Sequence, residues 1–177
     1  PVAALLSAVA CLAWLRFANS RRLLDLPGGR RVHTRATPRG GGIGIALAMI
    51  TVFAGLGFAS PAPNASLWVC LAAGTALLAM MGLADDLRPL SPLAKFAVQL
   101  LAVAVMLWPL QVLPAESLAG HWLLLLPAVI LWVNIWNFMD GSHGLIAVQA
   151  LLIALAVCLL PGQTPALRLA ALALAGA

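Results

Sequence analysis

Apolar and polar positions along this chain do not alternate with the period of two that marks a strand. They come in long blocks. Six apolar blocks can be drawn, roughly 1–20, 43–59, 67–84, 93–110, 122–139 and 144–160, with runs such as Leu67 to Ala84 and Leu145 to Leu160 near-continuous hydrocarbon, and a further apolar stretch begins near 167. About 20 mostly apolar residues in a helix cross the hydrocarbon core of a bilayer, so the pattern predicts about six full spans and the start of a seventh. The separators carry turn chemistry: Ser60-Pro-Ala-Pro-Asn64, Arg88-Pro-Leu-Ser-Pro92, Pro109 to Gly120 and Pro161-Gly-Gln-Thr-Pro165. Without strand alternation a membrane barrel is disfavoured. The expected fold class is all-α, a polytopic transmembrane helical bundle forming a single membrane domain over 1–177. The chain opens on Pro1 and stops at Ala177 inside an apolar stretch too short for a bilayer, which reads as truncation at the C-terminus.

Composition agrees: 63% of residues are hydrophobic, 8% are charged, and the mean hydropathy is +1.05. A soluble domain of this size cannot bury that much apolar surface. The net charge of +5 is concentrated, because Arg16, Arg21, Arg22, Arg30, Arg31, Arg35 and Arg39 lie in or beside one loop. Nucleic acid is therefore a poor partner for the positive charge. Arginines beside a span mark its cytoplasmic end and also suit phosphate oxygens. Cys11, Cys70 and Cys158 stand singly in apolar runs with no ligand spacing. With alternating crossings, the arginine loop after span one, Asp85-Asp86 after span three and Asn137 to His143 after span five share one face. Polar groups at membrane depth are costly and commonly functional.

Each of these clusters carries two readings. Asp25-Leu-Pro-Gly-Gly-Arg-Arg-Val-His33, continuing to Thr37-Pro38-Arg39-Gly40-Gly41-Gly42, is a turn-rich loop. It either holds phosphates by charge-assisted hydrogen bonds or only fixes orientation against lipid head groups. Gly82-Leu-Ala-Asp85-Asp86-Leu-Arg88-Pro89 places two carboxylates at the mouth of a span. They serve Mg²⁺ or proton transfer, or they cap the loop and pair with Arg88. Asn134-Ile-Trp-Asn137-Phe-Met-Asp140-Gly-Ser-His143 sets two carboxamides and a carboxylate on one broad helical face, for a ligand or as interhelical glue. Lys95, just inside span four, snorkels to the surface or contacts a phosphate.

Together the three segments resemble the polyprenyl-phosphate N-acetylhexosamine-1-phosphate transferase family, glycosyltransferase family 4. The loop through Arg31, His33 and Arg39 looks like the family's first cytoplasmic signature. Asp85-Asp86 looks like its paired-aspartate motif, and Asn134-x-x-Asn137-x-x-Asp140-Gly141 like its NxxNxxDG motif. The Asn-Phe-Met-Asp-Gly wording is nearer the branch that initiates O-antigen-type glycans.

The resemblance implies transfer of a sugar-1-phosphate from a UDP-N-acetylhexosamine to undecaprenyl phosphate, with Mg²⁺ as cofactor and UMP released. It implies a multi-pass protein of the bacterial inner membrane, with its site toward the cytoplasm and a homodimer open. By carry-over Asp85, Asp86 and Asp140 are the catalytic candidates, and Asn137 and Asp140 the metal candidates. His33, Arg31, Arg39, Lys95, Asn134 and His143 are the substrate-binding candidates.

Two departures stand out. The family usually carries an aspartate three residues after Asp140, where this chain has His143. The later aspartate and the histidine-containing loop that complete the site would lie beyond Ala177. A catalytically inactive relative, or a non-catalytic lipid-binding or transport protein, is the alternative. An aromatic prenyltransferase fits poorly, since Asp85-Asp86 lacks a further aspartate at the spacing that class expects.

Overall fold

The computed structural model describes residues 2–21, 23–25, 37–61, 64–112, 122–139 and 145–177. Seven α-helices carry the described chain: α1 Val2–Ser20, α2 Ile43–Ala59, α3 Asn64–Leu87, α4 Pro92–Leu107, α5 Trp122–Met139, α6 Leu145–Leu159 and α7 Pro165–Gly176. Two-residue strands, β1 (Leu24–Asp25) and β2 (Thr37–Pro38), pair antiparallel between α1 and α2, with Leu24 opposite Pro38 and Asp25 opposite Thr37.

Local chemistry explains most of the boundaries. Ser91 caps α4 by accepting from the Ala94 N–H at 3.2 Å, and Pro92 occupies the first turn, where its missing N–H costs nothing. Thr164 and Pro165 repeat that arrangement at α7. At its other end α4 tightens at Leu107 into a 3₁₀ turn, Trp108–Val112, because Pro109 cannot donate to the α-helical ladder and disfavours α geometry in the residue before it. α5 carries Pro127 in its interior.

Three helical segments are long and apolar enough to cross a membrane: Val2–Ser20, Asn64–Leu87 and Pro92–Leu110. α3, with 24 residues, rises about 36 Å and exceeds a hydrocarbon core of about 30 Å. The other apolar helices are shorter. The expectation of about six full spans is thus met in helix number and order but in length by three. The structure is that of a multi-pass helical membrane protein.

In sequence order each of the first five helices packs on the next, while α6 packs on α7 and α7 returns to α1 and α2. Alanines make up much of the buried interface. Ala3, Ala48, Met49 and Ala173 form a buried cluster, flanked by Val52, Phe53 and Leu174. A Cβ built on Gly74 would lie 2.9 Å from the Ala102 carbonyl oxygen, and one on Gly57 2.9 Å from a Val69 methyl. Close backbone approach of this kind replaces the hydrophobic drive that lipid tails remove. Large apolar side chains such as Leu12, Phe58 and Leu101 point outward instead.

Candidate functional site

The start of α2, the end of α3 and the end of α5 meet at one end of the bundle and enclose a cleft of ≈ 270 Å³. It is lined by Gly40, Gly42, Ile43 and Ala46 from the loop and α2, by Ala79, Gly82, Leu83, Asp85 and Asp86 from α3, and by Asn137 from α5. Each of the three sequence clusters therefore sends at least one residue to a single cavity.

The loop side is held from α1. The Trp14 indole N–H donates to the Arg39 carbonyl at 2.6 Å, and the Arg39 N–H donates to the Leu23 carbonyl at 3.0 Å. Gly40 follows with φ +80°, the left-handed region that side chains disfavour. A Cβ there would lie 2.6–2.9 Å from the Trp14 indole, so glycine is required twice over. Arg39 reaches across the cleft mouth, its Nη1 donating to the Asp86 carbonyl at 2.9 Å. The loop and the α3 terminus are thereby tied together.

On the α3 side, Asp85 and Asp86 sit in the last turn, and the helical ladder continues through an Arg88 N–H bond to the Ala84 carbonyl at 2.8 Å. Asp86 is exposed on the cleft, while Asp85 is half-buried. Both Asp85 oxygens are engaged: Oδ1 accepts the Leu90 N–H at 2.9 Å, and Oδ2 accepts Lys95 Nζ at 2.7 Å. Asp85 thus closes the α3–α4 turn and is neutralised by a lysine from α4. The pairing foreseen with Arg88 is here an ion pair with Lys95. A charged partner and a backbone donor together hold the Asp85 carboxylate in place beside Asp86.

Asn137 faces the cleft, whereas Asn134, one turn earlier, turns to α4. Its Nδ2 donates to Gln99 Oε1 at 3.0 Å and to the Ile130 carbonyl at 2.8 Å. Both amide hydrogens are used inside the protein, leaving Oδ1 as the remaining polar atom. Gln99 is buried and is not among the residues singled out above. Its signal was present, since Lys95 and Gln99 stand four apart on one face of α4. Of the other candidates, Arg31, His33, Asp140 and His143 lie outside the described residues.

Among the described residues, no three His, Cys, Asp or Glu side chains gather into a metal cage. The oxygen donors on the cleft are Asp85, Asp86 and the Asn137 carboxamide. Mg²⁺ is commonly held by one or two carboxylates, with water and substrate phosphates completing the shell. Asp86 and Asn137 fit such a donor set, whereas both Asp85 oxygens are already engaged.

Residues 68–177 match the model of the family described as glycosyl transferase family 4. The decaprenyl-phosphate N-acetylglucosaminephosphotransferase of Mycobacterium leprae is 32% identical over 162 residues, which cover 80% of this chain and 40% of the relative. Proteins of the same name from Mycobacterium tuberculosis and Mycolicibacterium smegmatis are also 32% identical, over 75% and 82% of this chain and 37% and 40% of their own lengths. The chain spans about two fifths of the relatives it matches. No solved structure matches it. With residues 68–177, more than half of the chain, matching the family's model, the chain belongs to glycosyl transferase family 4.

Proposed function

We propose that this chain is part of an enzyme that transfers N-acetylhexosamine-1-phosphate from a UDP-sugar to a polyprenyl phosphate, undecaprenyl phosphate in particular. The observation that carries the reading is the cleft where Gly40, Gly42, Asp85, Asp86 and Asn137 converge. The relatives are named for phosphosugar transfer to a polyprenyl phosphate, and the site has the chemistry for two phosphate-bearing substrates. A phosphate oxygen of the lipid attacks the β-phosphorus of the nucleotide sugar. The bond from that phosphorus to the bridging oxygen breaks, giving polyprenyl diphosphate-sugar and UMP. Asp86, Asn137 and Asp140 would hold Mg²⁺, which would supply positive charge to the diphosphate and to the departing phosphate. Asp85, held by Lys95 and the Leu90 N–H, keeps the α3 terminus in place. Asp86 faces the lipid phosphate and orients it. Arg39, with Arg31, His33 and His143, steers the phosphates, while the loop glycines let backbone approach them.

In this reading the apolar helices make six crossings with a seventh beginning at α7, in the bacterial inner membrane. The convergence of the α2 start with the α3 and α5 ends fits alternating crossings. The arginine loop puts that end in the cytoplasm, where nucleotide sugars are found.

The test uses membranes carrying the full-length protein, Mg²⁺, undecaprenyl phosphate and a panel of UDP-N-acetylhexosamines, with UMP release as readout. UMP formation that needs both lipid and metal, and is lost in Asp86→Asn, supports the reading and identifies the sugar. Folded protein that binds the lipid but forms no UMP from any donor overturns it in favour of an inactive relative.

A further inference from the structure

α5 carries the cleft carboxamide Asn137. Among its described residues, Ile130 is the buried hydrophobic one, while Leu124, Leu131, Trp132 and Ile135 are exposed. Pro127 removes a ladder hydrogen bond two turns before Asn134. The angle of α5 about its own axis decides where Asn137 points, since a rotation of one residue swings a side chain by about 100°. That is enough to take Asn137 out of the cleft. Something must fix its angle.

Gln99 is placed to do so. It lies in an apolar stretch of α4, 4% exposed, where an unpaired carboxamide is costly. Its Oε1 accepts Asn134 Nδ2 at 3.0 Å. Asn134 and Asn137 stand three apart, on the same side of α5, and Gln99 stands one turn from Lys95, which holds Asp85 at 2.7 Å. One face of α4 therefore grips both neighbours, α3 through Lys95 and α5 through Gln99. We propose that Gln99 is a positioning residue, which sets the rotation of α5 through Asn134 and so keeps Asn137 opposite Asp85 and Asp86. Gln99 does not line the cleft and acts through its neighbour. The catalytic consequence rests on the transferase reading above, but the rotation of α5 does not.

Two measurements on the full-length protein separate these. The first is structural. With the native cysteines replaced, Cys11, Cys70 and Cys158 among them, Ala79→Cys and Asn137→Cys place two thiols on the cleft for a short bismaleimide. Gln99→Leu is expected to lower the cross-linking rate about tenfold, the scale of one lost buried hydrogen bond. The exchange Gln99→Asn with Asn134→Gln, which keeps the combined side-chain length, should restore the rate to within about threefold. A rate that Gln99→Leu leaves unchanged overturns the proposal, as does an exchange variant no better than Gln99→Leu.

The second measurement is UMP release by the same Gln99 variants in the protein with Asn137 intact. Gln99→Leu is expected to lower kcat about tenfold with KM for the lipid little changed, and the exchange to recover it. If wild type forms no UMP while cross-linking responds as predicted, the transferase reading fails and the positioning role stands. If wild type is active and kcat ignores Gln99→Leu, the catalytic role of Gln99 is refuted.

Discussion

Gly40→Ala tests whether the α1–loop junction builds the floor of the cleft. The substitution meets two obstacles. At φ +80° an L-residue is disfavoured by about 1–2 kcal/mol. The new methyl would also lie 2.6–2.9 Å from Nε1, Cε2 and Cζ2 of Trp14. That indole is not free to swing aside, because it donates to the Arg39 carbonyl at 2.6 Å and packs on Phe17 at 5.3 Å between ring centroids. Overpacking of this kind costs about 1–3 kcal/mol, and the indole hydrogen bond, if broken, adds about 1 kcal/mol.

A destabilisation of about 2–5 kcal/mol is expected from the first two parts, and about 3–6 kcal/mol if the indole hydrogen bond breaks as well, read by SDS titration of the detergent-solubilised full-length protein. Gly41→Ala, where a Cβ meets nothing within 4 Å, is the control and should stay within about 0.5 kcal/mol. In a Trp14→Ala background only the backbone obstacle remains, so Gly40→Ala should fall to about 1–2 kcal/mol. An equal cost in both backgrounds would mean that the indole does not crowd Gly40. A Gly40→Ala protein as stable as wild type would remove the junction altogether.

Other outcomes follow from the same structure. Lys95→Met should cost about 1 kcal/mol, since the pair is close at 2.7 Å but each side chain keeps roughly a third of its exposure. In a double-mutant cycle with Asp85→Asn the two losses should couple, and strict additivity would argue against the pair. Asp85→Ala also frees the Leu90 N–H, so thermal unfolding should show it to be more damaging than Lys95→Met by about 1 kcal/mol. Gly74→Val should destabilise by about 1–3 kcal/mol against Met106 and the Ala102 carbonyl. Gly55→Ala, with open space at its Cβ, should be neutral or gain up to about 1 kcal/mol of helix stability. Chelation of Mg²⁺ by EDTA should abolish UMP release and its return should restore it, as followed by nucleotide chromatography.

The helices themselves were legible because their information is local. Blocks of apolar residues, broken by Pro-rich and Gly-rich separators, located α2 and α5 at 43–59 and 122–139 and the rest to within three residues. Deviations have local causes as well. α3 gains a turn at its C-terminal end because Asp85, Asp86 and Leu87 still find helical hydrogen bonds, and α4 yields before Pro109 because proline cannot donate. That the loop glycines, Asp85-Asp86 and Asn137 share one end of the bundle also followed from order alone, since antiparallel neighbours return alternate connections to the same side.

What only the tertiary structure decided is which atom each polar group meets. Arg88 is three residues from Asp85 in sequence, yet Lys95 takes the carboxylate, because the α3–α4 turn folds the first turn of α4 back over the end of α3. Asn134 and Asn137 look alike in the motif, but one turns to Gln99 on α4 and the other to the cleft. Trp14 and Gly40 lie 26 positions apart in sequence, and nothing local announces that an indole closes over that glycine. Periodicity and punctuation are properties of one segment at a time, so a sequence carries them openly. Hydrogen-bond partners and close approaches depend on how two segments are rotated about their own axes, and only packing sets that angle.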